Sequence, residues 1–209
     1  MADSSKEGAL SYNQQALWFA SKLDPTAYNL AYGFKLRGAL ETELLTRALV
    51  LLVQRHPVLR TTFVETEHGP RRVVHERMDF EFQHVAAEGL DEESLLQRLY
   101  ADAARPYALQ HGPVLRCALY GRGLGEHVLL LATHHLSLDG SSVMLLLQDL
   151  QRLYGALAQG LETVPEPAGR QEYDAFVRWQ SEWLASAEAD RARDGWREQL
   201  AGCTWGAPS

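Results

Sequence analysis

Cysteine is scarce in this chain. Its two residues, Cys117 and Cys203, stand far apart, and no Cys-x-x-Cys or Cys/His pair has ligand spacing. A structural zinc site, or any other metal site, is therefore not expected, and a reducing, cytoplasmic setting fits. Long apolar runs are missing too. A run such as Val128 to Ala132 is far too short to span a bilayer, so no membrane association is expected. The first ten residues, with Ser4, Ser5, Lys6 and Glu7, contain no apolar signal core. Basic charge is outweighed, with 20 Lys and Arg against 27 Asp and Glu and a formal net charge of −7. A nucleic-acid surface would need a basic face, so nucleic acid is not an expected partner. A mild acidic excess serves solubility. There is no internal repeat and no low-complexity tract.

What is present is ordinary for a globular chain: 209 residues, 46% of them hydrophobic, enough for one or two domains with a core. Residues 1–9 read as a disordered lead. Ser11 offers an N-cap for a helix to about Lys22, which Pro25 and Thr26 end. Residues 29–37 alternate loosely and read as a strand. Leu44, Leu45, Ala48, Leu49 and Leu52 repeat at helical spacing over 41–55, and Pro57 stops that helix. Strands are predicted at 58–65, 71–76 and 79–85, and a helix at 91–105. Two apolar segments, 113–121 and 126–133, flank GRGLGE as a hairpin. A strongly amphipathic helix follows Asp139-Gly140, with Val143, Leu146, Leu147, Leu150, Leu153 and Leu157 on one face. Residues 158–170 read as a loop and 171–200 as helical. The sum is a layered α/β domain with helices packed on a mixed, mostly antiparallel sheet.

One segment carries chemistry: THHLSLDGSS, residues 133–142, at the junction of a buried strand and a helix. A helix N-terminus presents free amides to developing negative charge. His134 and His135 are adjacent, so on a strand their side chains leave on opposite faces and only one faces a given cavity. Gly140 allows either close backbone approach or a backbone angle other residues resist. The residues alone leave two readings open. One is a catalytic imidazole; the other is a core histidine followed by an Asp-Gly turn and N-cap.

HHLSLDG resembles HHxxxDG, the signature of condensation domains and of the wider chloramphenicol acetyltransferase superfamily. Four further segments are similar to motifs of the condensation family, in the family's order. LSYNQQALWF at 10–19 resembles the opening motif. RHPVLRTTF at 55–63 resembles RHExLRTxF, with Pro57 in place of the usual Glu. YDAFVRWQSEWL at 173–184 resembles the Tyr-x-x-Tyr-x-x-Trp-Gln helix. GWREQLAG at 195–202 resembles the closing Tyr-Trp-x-x-x-Leu-x-Gly element, with Gly195 replacing the aromatic. The resemblance implies a chloramphenicol acetyltransferase-like lobe over 10–202, the first of two, with 203–209 starting the connection to the second.

The same resemblance implies the roles. His135 faces the inter-lobe tunnel and accepts or positions the proton of an attacking amine, or stabilises the tetrahedral intermediate. Gly140 offers a backbone N–H near the oxyanion. His134 points away and is structural. Asp139 pairs with an arginine of the second motif, Arg60 first and Arg55 second, to hold the loop. No cofactor is bound; the substrates ride on phosphopantetheine arms of partner carrier domains, and the acyl donor is joined to an amine or, less often, a hydroxyl. By itself the chain is expected to fold but not to catalyse, for want of the second lobe. Two alternatives are a coenzyme A-dependent acyltransferase of the same superfamily and a non-catalytic lobe that docks carriers. Ser141, where Trp is usual, and the stretch LWFASKLDPTAYNL resemble condensation domains of mixed polyketide–peptide systems, implying a polyketide or fatty acyl donor. The paired histidines set the chain apart from carrier-recruiting and heterocyclising relatives.

Overall fold

The computed structural model describes residues 5–123, 125–161 and 173–203. It falls into two units, 1–168 and 169–209. The first holds all seven strands among the described residues, in two sheets. The smaller sheet joins β1 (Lys6–Ala9), β4 (Gly69–Val74) and β3 (Thr61–Thr66) in the order β1-β4-β3, antiparallel throughout. The larger has the order β2-β7-β6-β5, from β2 (Asn29–Arg37), β7 (Glu126–His134), β6 (Leu115–Gly123) and β5 (Glu81–Ala86). Only its β5–β6 pair is parallel.

The strand patterns follow from what covers them. Leu115 to Tyr120 in β6 and Val128 to His134 in β7 are buried without a break. Alternation is lost there because both faces of the larger sheet are packed. On one face, α2 (Thr42–Arg55) and α4 (Gly140–Ala158) set Leu45, Leu49, Leu52, Leu146, Leu150 and Leu153 against Cys117, Leu119, Leu129 and Leu131. On the other, Leu95 of α3 (Glu92–Ala103) meets Ala118, Tyr120, Val128 and Leu130. A fully buried leucine contributes roughly 1.5–3 kcal/mol relative to an exposed one. The apolar stripes of α2 and α4 thereby fix α4 over the strand that ends in the histidine pair. Edge strand β2 keeps its alternation: Tyr32, Phe34 and Leu36 pack inward, while Ala31, Gly33 and Lys35 are exposed. Burial raises the Cys117 thiol well above its ordinary pKa, which leaves it an inert core residue.

Helix starts obey the capping rules. Ser11 caps α1 (Tyr12–Leu23) in a reciprocal capping box with Gln14, and Asp91 caps α3. Three sequence expectations need correction. Lys6–Ala9 is not a disordered lead but β1, paired residue by residue with β4; its side chains stay exposed, so composition hides a strand held by backbone bonds and by Arg72 Nε on the Ala9 carbonyl. The stretch at 58–65 begins with a 3-10 turn, Pro57–Arg60, before β3 starts. The helical tail of 171–200 is two helices, α5 (Tyr173–Leu184) and α6 (Ala187–Gln199), because Ser186 turns extended and caps the second. Along α5 the aromatic side chains form a ladder: the Phe176 ring centroid lies 5.6 Å from that of Tyr173 and 5.9 Å from that of Trp179. Leu124 of the hairpin, 162–170 of the loop, 171–172 of the tail, 204–209 of the connection and 1–4 of the lead lie outside the described residues.

Candidate active site

β7 is central in the larger sheet and delivers the histidine pair to its end. His134 is opposite Asn29, and the N–H of His135 extends the ladder by donating to the Tyr28 carbonyl at 2.8 Å. The two side chains then meet different fates. His134 is fully buried, and its Nδ1 accepts the Leu136 N–H at 3.1 Å. Its proton therefore sits on Nε2, which meets no partner among the described residues. Burial first, and the neighbouring His135 second, push its pKa down to about 4. Its ring meets the edge of Tyr107 at 6.2 Å, and Tyr107 carries the Arg116 guanidinium on its face at 3.8 Å. This is a neutral, structural histidine. His135 is half-buried, and its imidazole makes no hydrogen bond among the described residues.

The state of His134 has a measurable consequence. Between its folded value near 4 and its ordinary 6.5, the unfolded chain takes up a proton that the folded chain refuses. Stability should be flat above the ordinary value and fall as pH drops below it, by about 3 kcal/mol in all. Urea unfolding at a series of pH values should show that slope, and His134→Gln should remove it.

The loop between β7 and α4 is gripped by both of the other nearby motifs. Gln14 Nε2 donates to the Leu136 carbonyl at 3.0 Å, while its Oε1 accepts the Ser11 N–H at 3.1 Å. Leu136 itself is buried among Leu10, Trp18, Phe63 and Val114. Leu138 joins the core beneath α2 and α4. Gln14 thus serves a helix cap and the histidine loop at once. Sequence reasoning recognised its motif without assigning it this role; the Ser-x-x-Gln capping spacing was the available signal.

Asp139 does not pair with Arg60 or Arg55. It is exposed, and its Oδ1 accepts the Ser142 N–H at 2.7 Å as the N-cap of α4. The Ser142 side chain first and its N–H second, with a smaller contribution from His135, hold the carboxyl below the usual carboxylate range. The amides of a helix start stabilise a carboxylate without a cation. Arg60 is drawn instead to the negative end of α2. It donates to the carbonyls of Val53 at 3.1 Å, Gln54 at 3.2 Å and Glu76 at 3.1 Å, and to that of His75. Asp139→Ala should therefore cost only about 1 kcal/mol, the usual value of a cap, and Asp139→Asn almost nothing. Thermal melts of the two variants check this; a loss in both as large as that of a broken buried ion pair would contradict it.

The cation of the second motif that does form a buried pair is Arg55, and its partner is Asp149 on α4. Arg55 contacts Asp149 Oδ1 at 3.0 Å and His56 Nε2 contacts Oδ2 at 2.8 Å, with the Arg55 and Asp149 side chains only 8% and 6% exposed. Burial alone would raise the carboxyl's pKa; His56 and Arg55 outweigh it and hold it low. The signal for Asp149 was its place between Leu146 and Leu153 on an otherwise apolar helix face.

Gly140 is the first residue of α4 and lacks the left-handed backbone angle for which glycine is usually needed. Of the two reasons the sequence leaves open, close approach is the one realised: a Cβ here would stand 3.0 Å from the Tyr32 hydroxyl. Among the described residues no group of three His, Cys, Asp or Glu side chains is placed to hold a metal ion. No helix among them is long and apolar enough to cross a membrane.

A family model described as "Condensation domain" matches residues 4–205. The chain belongs to the condensation domain family. It is 34% identical over 199 residues to a linear gramicidin synthase of Brevibacillus parabrevis, covering 92% of this chain and 3% of that protein. It is 36% identical over 201 residues to the beauvericin nonribosomal cyclodepsipeptide synthetase of Beauveria bassiana, covering 93% of this chain and 6% of that one. The first condensation domain of the calcium-dependent antibiotic synthetase, solved with a substrate analogue, superposes with a TM-score of 0.87 at 25% identity, over 99% of this chain and 52% of that chain. The starter condensation domain of rhizomide synthetase shares the fold, with a TM-score of 0.81 at 22% identity over 97% of this chain and 49% of that one. The chain thus spans about half of these solved condensation domains and a small part of the curated synthetases. The expected α/β condensation fold, with its mixed and mostly antiparallel sheets, is the one observed.

Proposed function

We propose that the complete condensation domain containing this chain joins an acyl group to an amine, making an amide bond in nonribosomal peptide or hybrid polyketide synthesis. The observation that carries this is His135: a half-buried imidazole, not hydrogen-bonded among the described residues, held at a strand end beside the N-terminus of α4. We read the matched half as the amino-terminal lobe, with the second lobe closing the tunnel. The donor is a thioester on the phosphopantetheine arm of one carrier domain, and the acceptor amine sits on a second carrier. No cofactor is bound.

The amine nitrogen attacks the thioester carbonyl carbon, and the carbonyl π electrons move to oxygen. His135 takes the proton lost by the nitrogen. The intermediate collapses by breaking the carbon–sulfur bond, and the thiolate recovers a proton, so one thioester and one amine give one amide and one thiol. As the first helical residue, Gly140 has an N–H with no intrahelical acceptor, and it faces the developing oxyanion. Gln14, Leu136 and the His134 Nδ1 bond keep the loop in place. Positioning of two tethered substrates supplies much of the rate. Ser141 in the place of the usual Trp, with the LWFASKLDPTAYNL stretch, supports a polyketide or fatty acyl donor.

The test supplies the complete domain with acyl-loaded donor carrier and aminoacyl-loaded acceptor carrier, and detects the amide by mass spectrometry. Parallel reactions use the same acyl group on coenzyme A, and this chain alone. Amide from the carrier pair and the complete domain is expected. Efficient use of the coenzyme A thioester without a carrier would favour the coenzyme A-dependent alternative, and no product from any donor would favour a docking lobe.

A further inference from the structure

We propose that Tyr32 is a further catalytic residue, whose hydroxyl donates a second hydrogen bond to the oxyanion next to the N–H of Gly140. The inference rests on the amide-forming reading above. The register of β2 on β7 places Tyr32 opposite Leu131, and both side chains belong to the core face covered by α2 and α4. From there the ring leans towards the start of α4. Among the described residues, setting aside Gly140, its chain neighbours and the backbone of its own helix, the Tyr32 hydroxyl is the one heavy atom within 4 Å of the position a Gly140 Cβ would take, at 3.0 Å. Glycine at 140 therefore lets the phenol hydroxyl close on the first residue of α4, at the helix start that follows the His135 loop.

The ring and its hydroxyl are in different circumstances. The ring is seated, half-buried, against the core and stacked beside Phe34 at a centroid distance of 6.5 Å. The hydroxyl has no hydrogen-bond partner among the described residues. The oxygen is not among the buried polar atoms left without a partner, so it is open to solvent and to an incoming acceptor. Here the fold fixes the donor and supplies no acceptor, which is the condition of a preorganised group awaiting charge that develops only during reaction. A phenol hydroxyl carries an O–H that can donate to an oxyanion. As the thioester carbonyl oxygen becomes an oxyanion, it can accept from both the Gly140 N–H and the Tyr32 hydroxyl, and both bonds weaken again when the carbon–sulfur bond breaks.

The experiment measures amide formation by the complete domain with carrier-bound donor and acceptor. Tyr32→Phe keeps the ring and removes the donor. It should lower kcat roughly 10²–10³-fold, the usual loss for one oxyanion donor, with KM for the acceptor carrier unchanged. Gly140→Ala puts a methyl group against the hydroxyl and should lower kcat by displacing it. Phenylalanine relieves that clash, so Tyr32→Phe/Gly140→Ala should lose no more than the worse single variant. Additive losses, a change confined to KM, or native turnover by Tyr32→Phe would each overturn the proposal. His135→Ala separates it from the reading beneath. If His135→Ala is inactive while Tyr32→Phe turns over normally, only Tyr32 is misassigned. If His135→Ala also turns over normally, the site itself is wrong.

Discussion

Replacing His135 with alanine is expected to reduce amide formation by the complete domain roughly 10²–10⁴-fold, the range for loss of a proton-transfer group. The fold should survive. The His135 imidazole makes no hydrogen bond among the described residues, and the contact that holds the loop at this position, its N–H on the Tyr28 carbonyl, belongs to the backbone. Steady-state turnover should therefore collapse while the melting temperature stays native. His134→Ala should show the reverse. It empties a fully buried site and removes the acceptor of the Leu136 N–H, so it should lower stability first and activity only through the loop. Two neighbouring histidines with opposite phenotypes would separate the chemical role from the structural one.

The second large effect is expected at Asp149, where Asp149→Ala should cost about 3–5 kcal/mol, because it removes the carboxylate that compensates the buried Arg55 cation. Both oxygens are used, Oδ1 by Arg55 and Oδ2 by His56, in a place with almost no access to water. The pH dependence follows from the direction of the shift. The folded carboxyl is held below its ordinary value by His56 and Arg55 against the opposing effect of burial. Its contribution is present above the unfolded value of about 3.9 and is lost as pH falls through the folded value. Urea midpoints measured at neutral and acid pH should show a large deficit for Asp149→Ala at neutral pH and a smaller one in acid. A neutral-pH loss no larger than that of an exposed ion pair would contradict the buried-pair description.

The helices and the two central strands were legible because each leaves a local mark. Ser11, Asp91 and Asp139 stand where caps belong, and the leucines of α2 and α4 repeat at helical spacing. The unbroken burial of β7 matches a strand packed on both faces. The site histidines were legible through the motif rather than through spacing. What was not legible depends on contacts between distant residues. β1 has polar, exposed side chains and exists through its pairing with β4, more than sixty residues away, which no local pattern reports. The division into two sheets is a matter of register between remote strands. The partner of Asp139 was misjudged because the charges of Asp139, Arg60 and Arg55 are visible in sequence while helix ends are not. One carboxylate went to a helix start, Arg60 to the carbonyls of a helix end, and Arg55 to an aspartate ten residues beyond the expected one.

The most direct test of the site is a crystal structure of the complete domain bound to a stable analogue of an aminoacyl acceptor arm. The amine nitrogen should lie within about 2.6–3.2 Å of an imidazole nitrogen of His135, or reach it through one water. The N–H of Gly140 should point into the space where the donor's carbonyl oxygen develops charge. An acceptor bound away from the end of β7, with the imidazole of His135 turned out of its reach, would contradict the assignment of the reaction to this junction.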